Sequence, residues 1–139
     1  MNITIKEFVN LLSQKDLSYG HSRGWLEDQD ERFCDNSLNR QTAARIVHQF
    51  MKIELGVPDL PDITPANVLA DLYTCHTCVN HIAQVYLRGV MDAEEISGVS
   101  ERPFLIFNGK AFVSKEEAEK IVLRIKNLIT DLQPSLCKQ

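Results

Sequence analysis

The sequence predicts a mainly α fold: two related helix–loop–helix units packed as a single helical bundle, with a short β-hairpin near residues 104–112. Three observations point there. Apolar residues recur at helical spacing in several stretches. Polar caps open those stretches and glycines close them. The order of these signals in residues 1–56 returns in residues 63–133. The chain has 139 residues, 44% of them hydrophobic and 24% charged. That is one domain's length, with apolar material for a core that needs no metal or disulfide merely to fold.

Thr4-Ile5-Lys6-Glu7 is a capping box, in which each side chain of the pair satisfies the other's backbone N–H. Ile5, Phe8, Val9, Leu11 and Leu12 follow as an apolar stripe that fades near Ser18-Tyr19-Gly20. Residues 20–37 read as a loop, because Gly20 and Gly24 break helix and Asp28 to Asn36 is polar and acidic. So long a loop needs an anchor, and Trp25-Leu26 is expected to plug into the core. Asn39 caps the next helix, whose buried stripe is Ala43, Ala44, Ile46, Val47, Phe50 and Met51. Gly56, Pro58 and Pro61 end it.

In the second unit Thr64-Pro65 opens a short helical stretch with Val68, Leu69 and Leu72 on its apolar side. A stronger helix is predicted from about Thr74 to Arg88, stopped by Gly89. Residues 89–113 form a second long loop. The hairpin is expected within it, because Asn108-Gly109 tolerates the positive φ of a tight turn. Ser114-Lys115-Glu116-Glu117 is a second capping box. The last helix carries Ala118, Ile121, Val122, Ile125, Leu128, Ile129 and Leu132, and Pro134 is expected to stop it.

The net charge of -4 and a pI near 5.5 disfavour nucleic acid and anionic membrane as partners. No apolar run is long enough to insert into a bilayer, and Met1 to Glu7 has no signal-peptide pattern. With Met1 as the native start the chain is expected in the cytoplasm; the cell envelope requires that an upstream signal peptide was removed. Cys34, Cys75, Cys78 and Cys137 do not suggest a disulfide framework, and reduced thiols fit the cytoplasmic expectation.

The internal repeat is sharpest at the helix starts. Leu38-Asn39-Arg40-Gln41-Thr42-Ala43 parallels Val113-Ser114-Lys115-Glu116-Glu117-Ala118, and Gly24-Trp25-Leu26 parallels Gly89-Val90-Met91. Ile3-Thr4-Ile5-Lys6-Glu7-Phe8 echoes the same start, with Ile5 in the place of the base. With Leu69-Ala70-Asp71-Leu72 and Ile82 ahead of Gly89, the chain resembles the S-layer homology (SLH) domain. Residues 69–125 carry most of the likeness and residues 1–53 a degraded form of it. Thr77 departs from the family's tryptophan, and the loop before Ser114 is longer than usual. The resemblance implies a helical module that binds an anionic cell-wall polysaccharide non-covalently. It puts Arg40 and Lys115 against the polymer and makes a homo-oligomer an option, since the family works with three repeats.

Other residue patterns carry possible chemistry. At the first turn of a helix, Arg40 and Lys115 oppose the helix dipole; an anionic ligand or a salt bridge explains them. Trp25 would line a sugar-binding groove or fill the core. Cys75-His76-Thr77-Cys78 with His81 offers sulfur and nitrogen ligands to zinc, with Cys34 and His48 as completing ligands from the other half. The same Cys-x-x-Cys would serve thiol redox chemistry, or Cys78 simply fills a small buried place. Asp28, Asp30, Glu31 and Asp35 read as a solvated acidic loop. No catalytic motif appears. The expectation is a non-catalytic binding or assembly module for an anionic polymer or a protein partner, not an enzyme. A cytoplasmic zinc- or thiol-dependent protein and a structural domain are the alternatives, and no cofactor other than zinc is in view.

Overall fold

A computed structural model describes residues 2–96 and 104–137, with side chains described as far as Thr130. The chain is mainly helical. Its α-helices are α1 (Ile5–Ser13), α2 (Leu17–Arg23), α3 (Asp28–Arg32), α4 (Arg40–Gln49), α5 (Val79–Leu87) and α6 (Lys115–Cys137). Strands β1 (Glu94–Ile96) and β2 (Phe104–Ile106) form a two-stranded antiparallel hairpin. One apolar core takes residues from both halves, including Phe8, Trp25, Ile46, Leu72, Phe107 and Ile121. Among the described residues no helix is long and apolar enough to cross a membrane.

The centre of the fold is a closed cycle of three helix starts. Ile3, Leu38 and Val113 are buried residues, each preceding an N-cap and flanked by residues in isolated β-bridges. The Ile3 N–H donates to the Val113 carbonyl at 3.0 Å, the Val113 N–H to the Leu38 carbonyl at 2.8 Å, and the Leu38 N–H to the Ile3 carbonyl at 2.9 Å. Buried backbone groups must be paired, and here each start satisfies the next. The caps repeat the pattern: Thr4, Asn39 and Ser114 accept from the N–H of Glu7, Thr42 and Glu117 at 3.1, 2.9 and 3.0 Å. From this ring α1, α4 and α6 run outward, burying Phe8 and Val9, Ala43 and Ile46, and Ala118 and Ile121.

Two glycine stops stand where the sequence puts them. Gly56 (φ 71°) and Gly89 (φ 76°) stand in the left-handed region where their helices stop. After Gln49 the α4 backbone widens into a π-helical turn, Phe50–Glu54, in which the Leu55 N–H reaches back to the Phe50 carbonyl.

Several expectations need correction. Residues 20–37 are not simply a loop: they hold the end of α2 and all of α3. Helices of seven and five residues are too short to show periodicity or to stand alone. Asp16 caps α2, and Asp30 accepts from the Glu27 N–H at the start of α3. The helix expected from Thr74 begins at Val79. Cys75 is extended and the stretch before α5 is broken into 3₁₀ turns. Val68 is 56% exposed and not part of the apolar side. Pro134 does not end α6, whose backbone continues to Cys137. A proline removes one helical bond and can kink a helix without terminating it.

The hairpin is present, but β2 pairs backward with β1, Ile96 opposite Phe104 and Glu94 opposite Ile106. Asn108-Gly109 instead turns the chain onto α4. Asn108 has φ 61°, and the carbonyls of Gly109 and Ala111 accept from Gln41 and Arg40 N–H, both at 2.8 Å. The Asp71 carboxylate holds this turn by accepting from the N–H groups of Phe107 (2.8 Å) and Asn108 (2.7 Å).

Candidate functional site

Two places concentrate chemically able side chains. The first is an open cleft of about 460 Å³ between the start of α4, the segment before β1 and the flank of α6. Arg40 forms its floor. Its guanidinium donates to the carbonyls of Phe107 (2.9 Å) and Asp92, pairs with Glu117, and lies 4.5 Å over the Phe107 ring. Burial pushes Arg40 below its ordinary pKa, and Asp92, Glu94 and Asp71 oppose that push. Arg40 is therefore fully engaged inside the protein. The salt bridge gives the base at this helix start an internal partner, and the Glu117 carboxylate answers Arg40 across the ring. Lys115 is exposed and outside the cleft; its nearby charge is Glu7, whose acidity it increases slightly, after the larger effect of the Thr4 hydrogen bonds. Trp25 is 0% exposed and packs edge-on to Phe50 at 5.0 Å, so it belongs to the core.

The rim of the cleft is different. Phe112 is 55% exposed, and exposed Lys120 is in none of the ion pairs among the described residues. Arg124 pairs with Asp92 at 2.8 Å, and Glu94 and Glu116 complete the charged lining. The cleft thus combines an aromatic face, an available ammonium and several carboxylates.

The second place joins both halves of the chain. Cys75 and Cys78 form a disulfide, so in this state the pair offers no thiolate to a metal. Among the described residues no three His, Cys, Asp or Glu side chains converge as a metal would require. Cys34 is a free, half-buried thiol that does not line the cavity beside the pair. That cavity, about 530 Å³, is lined by Cys75, Thr77, Cys78 and His81 from one side and by Gln41, Thr42 and Arg45 of α4 from the other.

Behind it runs a chain of hydrogen bonds. His81 Nδ1 lies 2.8 Å from His48 Nδ1, and His48 Nε2 lies 2.6 Å from Asp59 Oδ1. Asn80 donates to the other Asp59 oxygen at 3.2 Å. Because a carboxylate only accepts, His48 carries its proton on Nε2. In the neutral pair His48 Nδ1 then accepts from His81 Nδ1–H, leaving His81 Nε2 with a lone pair. Burial raises the Asp59 carboxyl, and hydrogen bonds from His48 and Asn80 more than reverse that, so its pKa is lowered.

The connector bearing Asp59 is held in place by Gln84. Buried on α5, it accepts from the Leu60 N–H at 2.8 Å and donates to the Leu60 carbonyl at 3.1 Å. His48 and His81 were each visible as candidates in the sequence. Asp59 was missed, and its only signal is an acid between Pro58 and Pro61.

Comparison with family models, curated proteins and solved structures returned no match.

Burial first, then repulsion from the His48 ring whenever that ring is protonated and from the Arg45 guanidinium, lower the His81 pKa from 6.5 to about 4. Between those values the unfolded chain binds a proton that folded His81 refuses, so this group makes stability rise with pH across the window. His81→Gln is expected to flatten the loss of urea stability between pH 7 and pH 4. An unchanged slope would contradict this assignment.

Proposed function

We propose that the protein is a non-catalytic, SLH-like binding module that takes an anionic carbohydrate in the cleft above Arg40. The observation that carries this reading is the rim of that cleft. Exposed Phe112 offers a flat apolar face to the C–H side of a sugar ring, and Lys120 offers an ammonium to a carboxylate or phosphate. The closed cycle of helix starts supports the likeness to SLH modules, because the two starts at Asn39 and Ser114 and the degraded one at Thr4 occupy equivalent places around it. All three come from one chain, so a second copy is not needed to close the cycle. In this reading Arg40 is a structural tie, and ligand contact moves from Arg40 and Lys115 to Lys120 and Phe112.

Retention on purified anionic cell-wall polysaccharide tests it. Lys120→Ala and Phe112→Ala are each expected to weaken binding about tenfold, the equivalent of about 1.4 kcal/mol. Lys115→Ala should leave it unchanged. Added salt should weaken it, because an exposed ammonium is screened. No retention, or retention indifferent to both rim substitutions, would reject the proposal.

A further inference from the structure

We propose that Cys75 and Cys78 are a redox-active pair that exchanges with a low-molecular-weight disulfide, with His81 relaying the thiol proton to His48, which Asp59 positions. Three observations meet here. The disulfide forms part of the wall of a cavity large enough for one arm of a small disulfide compound, and this cavity has polar walls at Gln41 and Thr42. His81 lines the same cavity one helical turn beyond Cys78. Behind His81 stand a nearly buried imidazole, His48 at 6% exposure, and a carboxylate, in hydrogen-bond contact and drawn from α4 and the inter-unit connector. A half-buried disulfide that only braced this turn would need none of this polar backing. Cys78 also precedes the first residue of α5, where the helix N-terminus favours a thiolate.

The exchange balances as follows. In the reduced pair one thiol's proton passes to His81 Nε2 as the His81 Nδ1 proton passes to His48, so His81 never holds the charge that its burial opposes, and the sulfur attacks the partner disulfide. That S–S bond breaks, a mixed disulfide forms, and the released partner thiolate takes up the proton. The second cysteine, likewise deprotonated, attacks the protein sulfur of the mixed disulfide, closing Cys75–Cys78 and releasing the second partner thiol. Two electrons pass from the protein sulfurs to the partner. The positive charge therefore rests on His48, beside Asp59.

The test uses the full chain with Cys34→Ala and Cys137→Ala, reduced and then mixed with oxidised glutathione at pH 7, closure being followed by mass. His81→Gln is expected to slow closure about a hundredfold, the ordinary worth of a positioned base, and Asp59→Asn about tenfold, as for partners that orient a working histidine. Free imidazole should restore part of the rate to His81→Gly, which a merely structural role would not allow; if that variant does not fold, His81→Gln and Asp59→Asn decide the matter. Closure no faster than in the urea-unfolded chain, or rates unmoved by His81→Gln and Asp59→Asn, would overturn the assignment.

Discussion

Asp30→Ala is expected to cost about 3–5 kcal/mol of folding free energy, the loss seen when one member of a buried ion pair is removed. Asp30 is 1% exposed. Its two carboxylate oxygens take Nη1 and Nη2 of Arg45 at 2.9 and 2.6 Å, and one also accepts the Glu27 N–H at 2.8 Å. Deleting the carboxylate leaves the Arg45 guanidinium, itself only 13% exposed in its side chain, with Glu27 at 3.7 Å as its remaining ionic partner. Burial works to lower the Arg45 pKa, and the bonds to Asp30 reverse that and raise it. The substitution also removes the contact that starts α3. Replacing both partners at once, Asp30→Leu with Arg45→Met, should be far milder than either single change, because no charge is then stranded. Urea titration reads both results. A single-variant loss below about 1 kcal/mol would show that water reaches the pair.

Trp25→Ala should be of similar size, about 3–5 kcal/mol, from lost transfer energy and the cavity left behind. The indole is completely buried against Phe50. The chain returns to it tightly: the N–H groups of Gly24, Trp25 and Leu26 all reach the Gly20 carbonyl, at 3.1, 3.2 and 3.3 Å. Gly20 packs directly against both side chains: a Cβ there would meet Leu26 Cδ1 at 2.6 Å and Trp25 Cη2 at 3.0 Å. Trp25→Phe keeps most of the apolar area and should lose much less. Thermal unfolding followed by circular dichroism compares the variants. Because Trp25 is the single tryptophan, its fluorescence reports the same core in the unaltered chain. Equal melting temperatures for the unaltered chain and Trp25→Ala would refute the packing described.

Both residues illustrate how far sequence reasoning reaches. Trp25 was legible: an indole inside a long polar stretch has few places to go but the interior. Asp30 was not, because it stands among Asp28, Glu31 and Asp35 and shares their composition; only the approach of Arg45 separates it from a solvated acid. His48 and His81 were visible as residue types, and nothing local marks Asp59 as the group that completes them. The Cys-x-x-Cys spacing was evident, whereas its disulfide state and its neighbours on α4 were not.

Contiguous residues suffice to specify the capped starts at Thr4, Asn39 and Ser114, the glycine stops, the apolar stripes and hence the helical class. Caps, φ preferences and periodicity act over one or two turns of chain. Folding in three dimensions selects the rest: the cycle that ties Ile3, Leu38 and Val113 together, the pairing of β1 with β2, the inward turn of Arg40 and the Asp59–His48–His81 chain. Those contacts join segments far apart in the chain. Their formation depends on which loops can close and which polar groups burial forces to find partners, neither of which is written in any single stretch of residues.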